Sequence, residues 1–177
     1  MMDKSMTDLF DCEVPVEYRD LVGSGEIGLY LYKEDKIVLC KSLEKEFPFH
    51  RKIVFLHEMF HATGGKLRSY RTERLTTAFG RKAYNVEECI AEICTMVAMK
   101  KLGWFTETAR TIPELGLKEY HREDIYIPWM EVIHAVEKFK VHDVDFSQEL
   151  SYIKKYLTQE LTLNIKDRYE WFDNQTA

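Results

Sequence analysis

The stretch His50-Arg-Lys-Ile53-Val54-Phe55-Leu56-His57-Glu58-Met59-Phe60-His61-Ala62-Thr63-Gly64-Gly65 decides how the rest of the chain is read. Ile53, Val54, Leu56 and Phe60 recur at helical intervals, which predicts an amphipathic helix over 50–63. Pro48 stands ahead of it, and paired glycines after the last periodic residue are a stop. On that helix His57 and His61 leave the same face one turn apart, the separation that one divalent metal ion needs from two nitrogen ligands. Glu58, one position on from His57, stands where such sites keep their general base, so it is the candidate catalytic residue.

A second helix is predicted from about Tyr84 to Leu102, where Ile90, Ile93, Cys94 and Val97 form an apolar stripe that Gly103 ends. It carries Glu88 and Glu92, four residues apart. One carboxylate from a helix packed across the first completes a two-histidine, one-glutamate set and leaves a fourth position open, the pattern of a catalytic zinc. Glu88 is assigned as that ligand and Glu92 as the acceptor for the outer N–H of a ligand histidine, with the reverse order as the rival. Glu87 is turned about 100 degrees from Glu88, one helical step. The expected metal site is therefore His57, His61 and Glu88, holding one Zn2+ per chain.

Working outward, Ile27–Tyr32 and Ile37–Cys40 are short apolar and aromatic runs separated by the charged Lys33–Lys36, which reads as a β-hairpin. The first 22 residues mix acidic and apolar side chains without a clean period and are expected to wrap onto the body. Residues 66–82 are basic and rich in hydroxyls, and read as a loop with short helical pieces. Thr111–Pro128 is broken by Pro113, Gly116 and Pro128. Helices follow over 129 to about 141 and 146 to about 157 or beyond, with a frayed end. The fold expected is α+β: a small antiparallel sheet beside the motif-bearing helix, the second helix across it, and further helices. It forms a single domain over 1–177, with a motif-bearing core at about 24–103 and a helical part at about 104–177.

Composition narrows the function classes. A 177-residue chain with 45% hydrophobic and 13% aromatic residues buries a full core and is not a disordered polymer. The mean hydropathy of −0.36, and the lack of an apolar run of about 18 residues, exclude a helical membrane span. The opening residues lack the apolar stretch of a signal peptide, so a cytoplasmic protein is expected. Four irregularly spaced cysteines without a CxxC pair indicate reduced thiols rather than a disulfide framework or a thiolate zinc site, and Cys89 and Cys94 read as small buried residues. A net charge of −5 argues against a surface built wholly for nucleic acid. The stretch 66–82 nevertheless holds six cations, Lys66, Arg68, Arg71, Arg74, Arg81 and Lys82, against Glu73 alone. It offers nucleic acid or an acidic substrate a local patch, although a loop paired with the acidic body is the weightier reading. His50, His121, His134 and His142 stand without partner spacing. One of them, or Tyr70 or Tyr84, is a candidate donor to an oxyanion. Trp104, Phe105, Tyr120, Tyr126 and Trp129 read as core rather than as a substrate pocket.

The run HEMFHATGG, followed by Arg74-Leu75, Phe79-Gly80, Tyr84 and EECIAEICTMVAMKKLG, resembles the zincin-like metallopeptidase domain of the ArdC-type anti-restriction proteins. The likeness covers about residues 24–103. The segment between Gly64 and Phe79 is a few residues longer than in that family, and Asn85 stands where alanine is usual. Those proteins also carry an N-terminal domain that binds single-stranded DNA, for which a single-domain chain has no counterpart. The spacing in the second helix is similar to that of the gluzincin peptidases, which implies Glu88 as the zinc ligand and Glu92 as the partner of His57. The resemblance implies a zinc metallopeptidase acting on a cytoplasmic protein or peptide, with an anti-restriction or anti-defence role for a phage, plasmid or other mobile genetic element. The alternative is a non-catalytic protein, its helices braced by the metal, that associates with DNA or with a restriction or defence protein. No membrane partner is expected, and the oligomeric state is left open.

Overall fold

The computed structural model describes residues 4–11, 13–21, 23–45, 48–105, 127–140 and 145–160. In chain order these form α1 (Lys4–Thr7), β1 (Val16–Arg19), β2 (Gly28–Leu31), β3 (Lys36–Cys40), α2 (Ser42–Lys45), α3 (Pro48–Thr63), α4 (Arg71–Phe79), a 3-10 turn (Gly80–Lys82), α5 (Ala83–Lys101), α6 (Trp129–Val136) and α7 (Ser147–Glu160). The class is α+β, as expected. No helix among the described residues is long and apolar enough to cross a membrane.

The sheet has the order β1-β3-β2. β2 and β3 are the antiparallel hairpin, with Leu29 opposite Val38. The third strand was not anticipated. β1 runs parallel to β3, with Val16 opposite Ile37, so the sheet is mixed rather than purely antiparallel. Val-Glu-Tyr-Arg offers only one apolar alternation, too short a period to announce a strand. Its outward residues Glu17 and Arg19 pair with each other at 2.6 Å, and Lys36 reaches Glu17 at 3.2 Å, so the sheet's edge carries charges that discourage further pairing. β3 lies between its neighbours, and Ile37, Val38 and Leu39 are fully buried.

α3 and α5 pack against each other and carry the core. Phe55, Leu56, Met59 and Phe60 from α3 meet Ile90, Ile93, Met96 and Val97 from α5, all essentially without solvent contact. α3 also covers β2 and β3, while α4, α6 and α7 lie on α5. Enclosed in this way, α5 is buried nearly all round, which explains why its stripe is broad rather than one-sided. It ends where Gly103 takes φ 72, a left-handed conformation suited to a residue without Cβ.

Two elements depart from the sequence reading for tertiary reasons. Residues 71–79 form a full helix whose inward positions are Arg71 and Leu75, and a buried arginine at a core position hides the helical period. α6 stops at Val136 instead of about 141 because Phe139 is drawn into an isolated bridge with Phe10. Lys140 N donates to Leu9 O and Asp11 N to Lys138 O, while Phe10 stacks edge-on against Phe55, Phe60 and Phe139. The N-terminal segment thus wraps onto the body. Trp129 is buried, and Trp104 and Phe105 pack at the core's margin. Tyr120, Tyr126, His121, His142, the proline-broken stretch over 111–126 and the tail beyond 160 lie outside the described residues.

Candidate metal centre

Helical spacing brings His57, Glu58 and His61 to the side of α3 that faces α5 and the β2 strand. Packing of α5 then supplies Glu88. His57 Nε2 and His61 Nε2 lie 2.9 Å apart. One Glu88 oxygen is 3.2 Å from His57 Nε2, and the other is 3.4 Å from His61 Nε2. The three residues each bring a ligand atom within 4.8 Å of the others. Tetrahedral zinc with bonds of about 2.05 Å spaces its ligands by about 3.3 Å, so this triangle is close to one face of such a tetrahedron.

The outer ring nitrogens identify what belongs at the centre. His57 Nδ1 is 3.4 Å from Glu92 Oε1, and His61 Nδ1 is 3.2 Å from Glu87 Oε1. With each Nδ1 turned to a carboxylate, that nitrogen is assigned the proton, and each Nε2 presents a lone pair. In that tautomer two lone pairs and a carboxylate converge on one point, an arrangement that a cation satisfies. Both rings are largely buried, at 15% and 12% side-chain exposure. Burial disfavours imidazolium at both, yet the carboxylates outweigh it and raise both pKa values, so the field at this spot favours positive charge. The same groups fit a zinc ion.

Glu87, set aside in the sequence reading, is the acceptor for His61. Successive residues on a helix diverge by about 100 degrees, and the two nitrogens of one imidazole also point apart, so Glu88 and Glu87 reach opposite sides of the same ring. Behind Glu87 lies Arg71, whose side chain is 1% exposed. Its Nε donates to Glu87 Oε2 at 2.9 Å and its Nη2 to Oε1 at 2.5 Å. Nη2 also reaches Phe60 O and Nη1 reaches Thr63 Oγ1, so the guanidinium ties the C-terminal end of α3 to α5. Burial alone raises a carboxyl's pKa, but Arg71 overrides it and holds Glu87 at about 2. Glu92 has no such guanidinium among the described residues, and burial pushes it up to about 7. No spacing signal connects Arg71 to Glu87, because a pair 16 apart on two helices has no local periodicity.

Glu58 is 6% exposed, and burial raises its pKa. The backbone of Tyr30 hydrogen-bonds to it from β2. The strand approaches this closely because residue 28 is glycine: a Cβ there would meet Val54 Cγ1 at 2.5 Å and Glu58 Oε1 at 3.0 Å.

The remaining candidates are not gathered into this cluster. His134 is exposed, and His50 is partly buried with its pKa lowered by burial. Tyr70 and Tyr84 are exposed on the surface. Within 66–82, Arg68 is committed to Asp35, Arg71 to Glu87 and Arg74 to Glu131.

A family model described as a zincin-like metallopeptidase matches residues 19–115, more than half of the chain. The matched span runs from the last residue of β1 through α5 and includes every residue of the cluster. No curated protein and no solved structure matches the chain.

Proposed function

As the chain belongs to the zincin-like metallopeptidase family, we propose that it is a zinc-dependent peptidase binding one ion per chain through His57, His61 and Glu88. Glu58 is its general base, and Glu92 is the acceptor that orients His57. The observation that supports this reading above the others is the convergence of two imidazole nitrogens and a carboxylate, from α3 and α5, within 4.8 Å of one another. Bound zinc supplies Lewis acidity, which polarises a peptide carbonyl and acidifies water. Glu58 takes the proton of the attacking water and passes it to the leaving amine. Its burial brings its pKa nearer the working pH, as a general base requires, and the Tyr30 backbone contact holds the carboxylate in place.

The proposal extends to a protein or peptide substrate in the cytoplasm. On the resemblance to anti-restriction proteins, it extends to an anti-defence role for a mobile genetic element. Nucleic acid is the weaker partner, since Arg68, Arg71 and Arg74 are already engaged by carboxylates.

Elemental analysis of wild type, Glu88→Ala and Glu58→Gln, with cleavage of a proteome-derived peptide library followed by mass spectrometry, tests the reading. About one zinc per chain is expected in wild type, with clear loss in Glu88→Ala. Glu58→Gln keeps its zinc and loses cleavage. Undiminished turnover by metal-loaded Glu58→Gln removes Glu58 as the base. Zinc binding without any wild-type cleavage favours the metal-braced binding protein instead.

A further inference from the structure

The two histidines are supported differently. Glu92 faces His57 Nδ1 with no lysine or arginine among the described residues hydrogen-bonded to it, whereas Glu87 faces His61 Nδ1 while gripped on both oxygens by Arg71. A carboxylate held by two guanidinium bonds has little rotational freedom. It therefore presents one fixed oxygen to His61, and the ring must align with it. Arg71 is fixed in turn by Phe60 O and Thr63 Oγ1, on either side of His61 in the chain. Gly64 leaves room for this, since a Cβ there would lie 2.8 Å from the guanidinium.

We propose that Arg71 and Glu87 are the positioning pair of the metal site, with Glu87 fixing the ring and tautomer of His61 so that its Nε2 faces the ion. The inference rests on the zinc reading above. Its consequence is that zinc affinity depends on a residue of α4 that touches neither the metal ligands nor the ion. Carboxylates in this position are worth about 10- to 100-fold in metal affinity.

The test is the zinc dissociation constant of the full chain, by competition with a chromophoric chelator, for wild type, Glu87→Gln and Leu75→Ala. Leu75 is buried on α4 and lies outside the cluster, so its truncation loosens the same helix without touching His61. Nitrogen-15 spectra of the histidine rings are recorded on the zinc-loaded proteins. The expected result is a loss of at least tenfold in Glu87→Gln, affinity within about threefold of wild type in Leu75→Ala, and a displaced Nδ1–H resonance for His61 but not for His57. A smaller loss in folded Glu87→Gln overturns the inference, as does an equal loss in Leu75→Ala, which marks the role as purely structural. Should Glu87→Gln not fold, the double variant Arg71→Met with Glu87→Gln removes both charges together, and the same tenfold criterion applies. Failure of wild type to bind zinc overturns the zinc reading, and this inference with it, and is seen before any variant is compared.

Discussion

Gly28→Ala tests the close approach of β2 to the α3 face that carries Glu58. The added methyl lies 2.5 Å from Val54 Cγ1, and ordinary contact begins near 3.4 Å, so the strand or the helix must retreat by about 0.9 Å. Val54 yields poorly: it is buried, and a β-branched side chain in a helix has essentially one rotamer. Overpacking of this kind costs about 1–3 kcal/mol. With a urea dependence of about 2 kcal/mol per molar, the midpoint should fall by about 0.5–1.5 M. The decisive comparison is a double-mutant cycle with Val54→Ala, which deletes the Cγ1 that the new methyl strikes. Val54→Ala alone opens a cavity and destabilises. Combined with Gly28→Ala it relieves the clash, so the double variant should be more stable than the sum of the single effects by at least about 1 kcal/mol. Simple additivity, or Gly28→Ala as stable as wild type, would refute the reasoning. On the proposed role of Glu58 as the base, peptide cleavage should fall as well, because Glu58 Oε1 and Cγ are the next atoms met, at 3.0 and 3.1 Å, and a misplacement of about 1 Å can cost about 100-fold.

Stripping zinc with a chelator should lower the thermal midpoint: at a free ion concentration of 100 times Kd the bound ion stabilises by about 2.7 kcal/mol, or about 5–10 °C for a domain of this size, read by calorimetry. Asp35 is raised by burial but lowered further by hydrogen bonds from Arg68 and Tyr30, so its pKa lies below the ordinary value of 3.8. A depressed carboxylate stabilises fully above its unfolded pKa and loses that contribution as pH falls through the folded one. Asp35→Asn should therefore be less stable than wild type at pH 6, with the gap closing below about pH 4 in urea titrations. Asparagine tolerates the left-handed φ of 50 found there, so the backbone is spared. Ile93→Ala, at a fully buried position of α5, should cost about 2–5 kcal/mol in chemical denaturation. Arg74→Met removes an exposed pair with Glu131 and should change stability by less than about 1 kcal/mol.

The chemistry of this chain is concentrated where local periodicity is strongest. His57 and His61 repeat with the helical turn, as do Glu88 and Glu92, so both stretches that form the candidate site and the helices that carry them were legible in the sequence. The hairpin was legible too, because two apolar runs flank a charged turn. A periodic signal is written within one element, and it is read without knowledge of that element's partners when apolar residues hold its inward positions.

What escaped depends on contacts between elements. Val16–Arg19 became a strand only because β3 offered it a parallel partner, and four residues carry no period of their own. α4 was obscured because its inward position is held by Arg71, a residue that belongs in a core only when a carboxylate waits there. α6 ended early because Phe10, more than a hundred residues away in the chain, competes for Phe139. Glu87 looked misdirected on its own helix and proved well directed once His61 stood beside it. The sequence by itself determined the HExxH motif, the two helices that bear the candidate site and the α+β class, since each follows from spacing along one segment. Tertiary structure alone decided the third strand, the buried Arg71 and the pairing of Glu87 with His61, because those depend on distances between segments that no local period records.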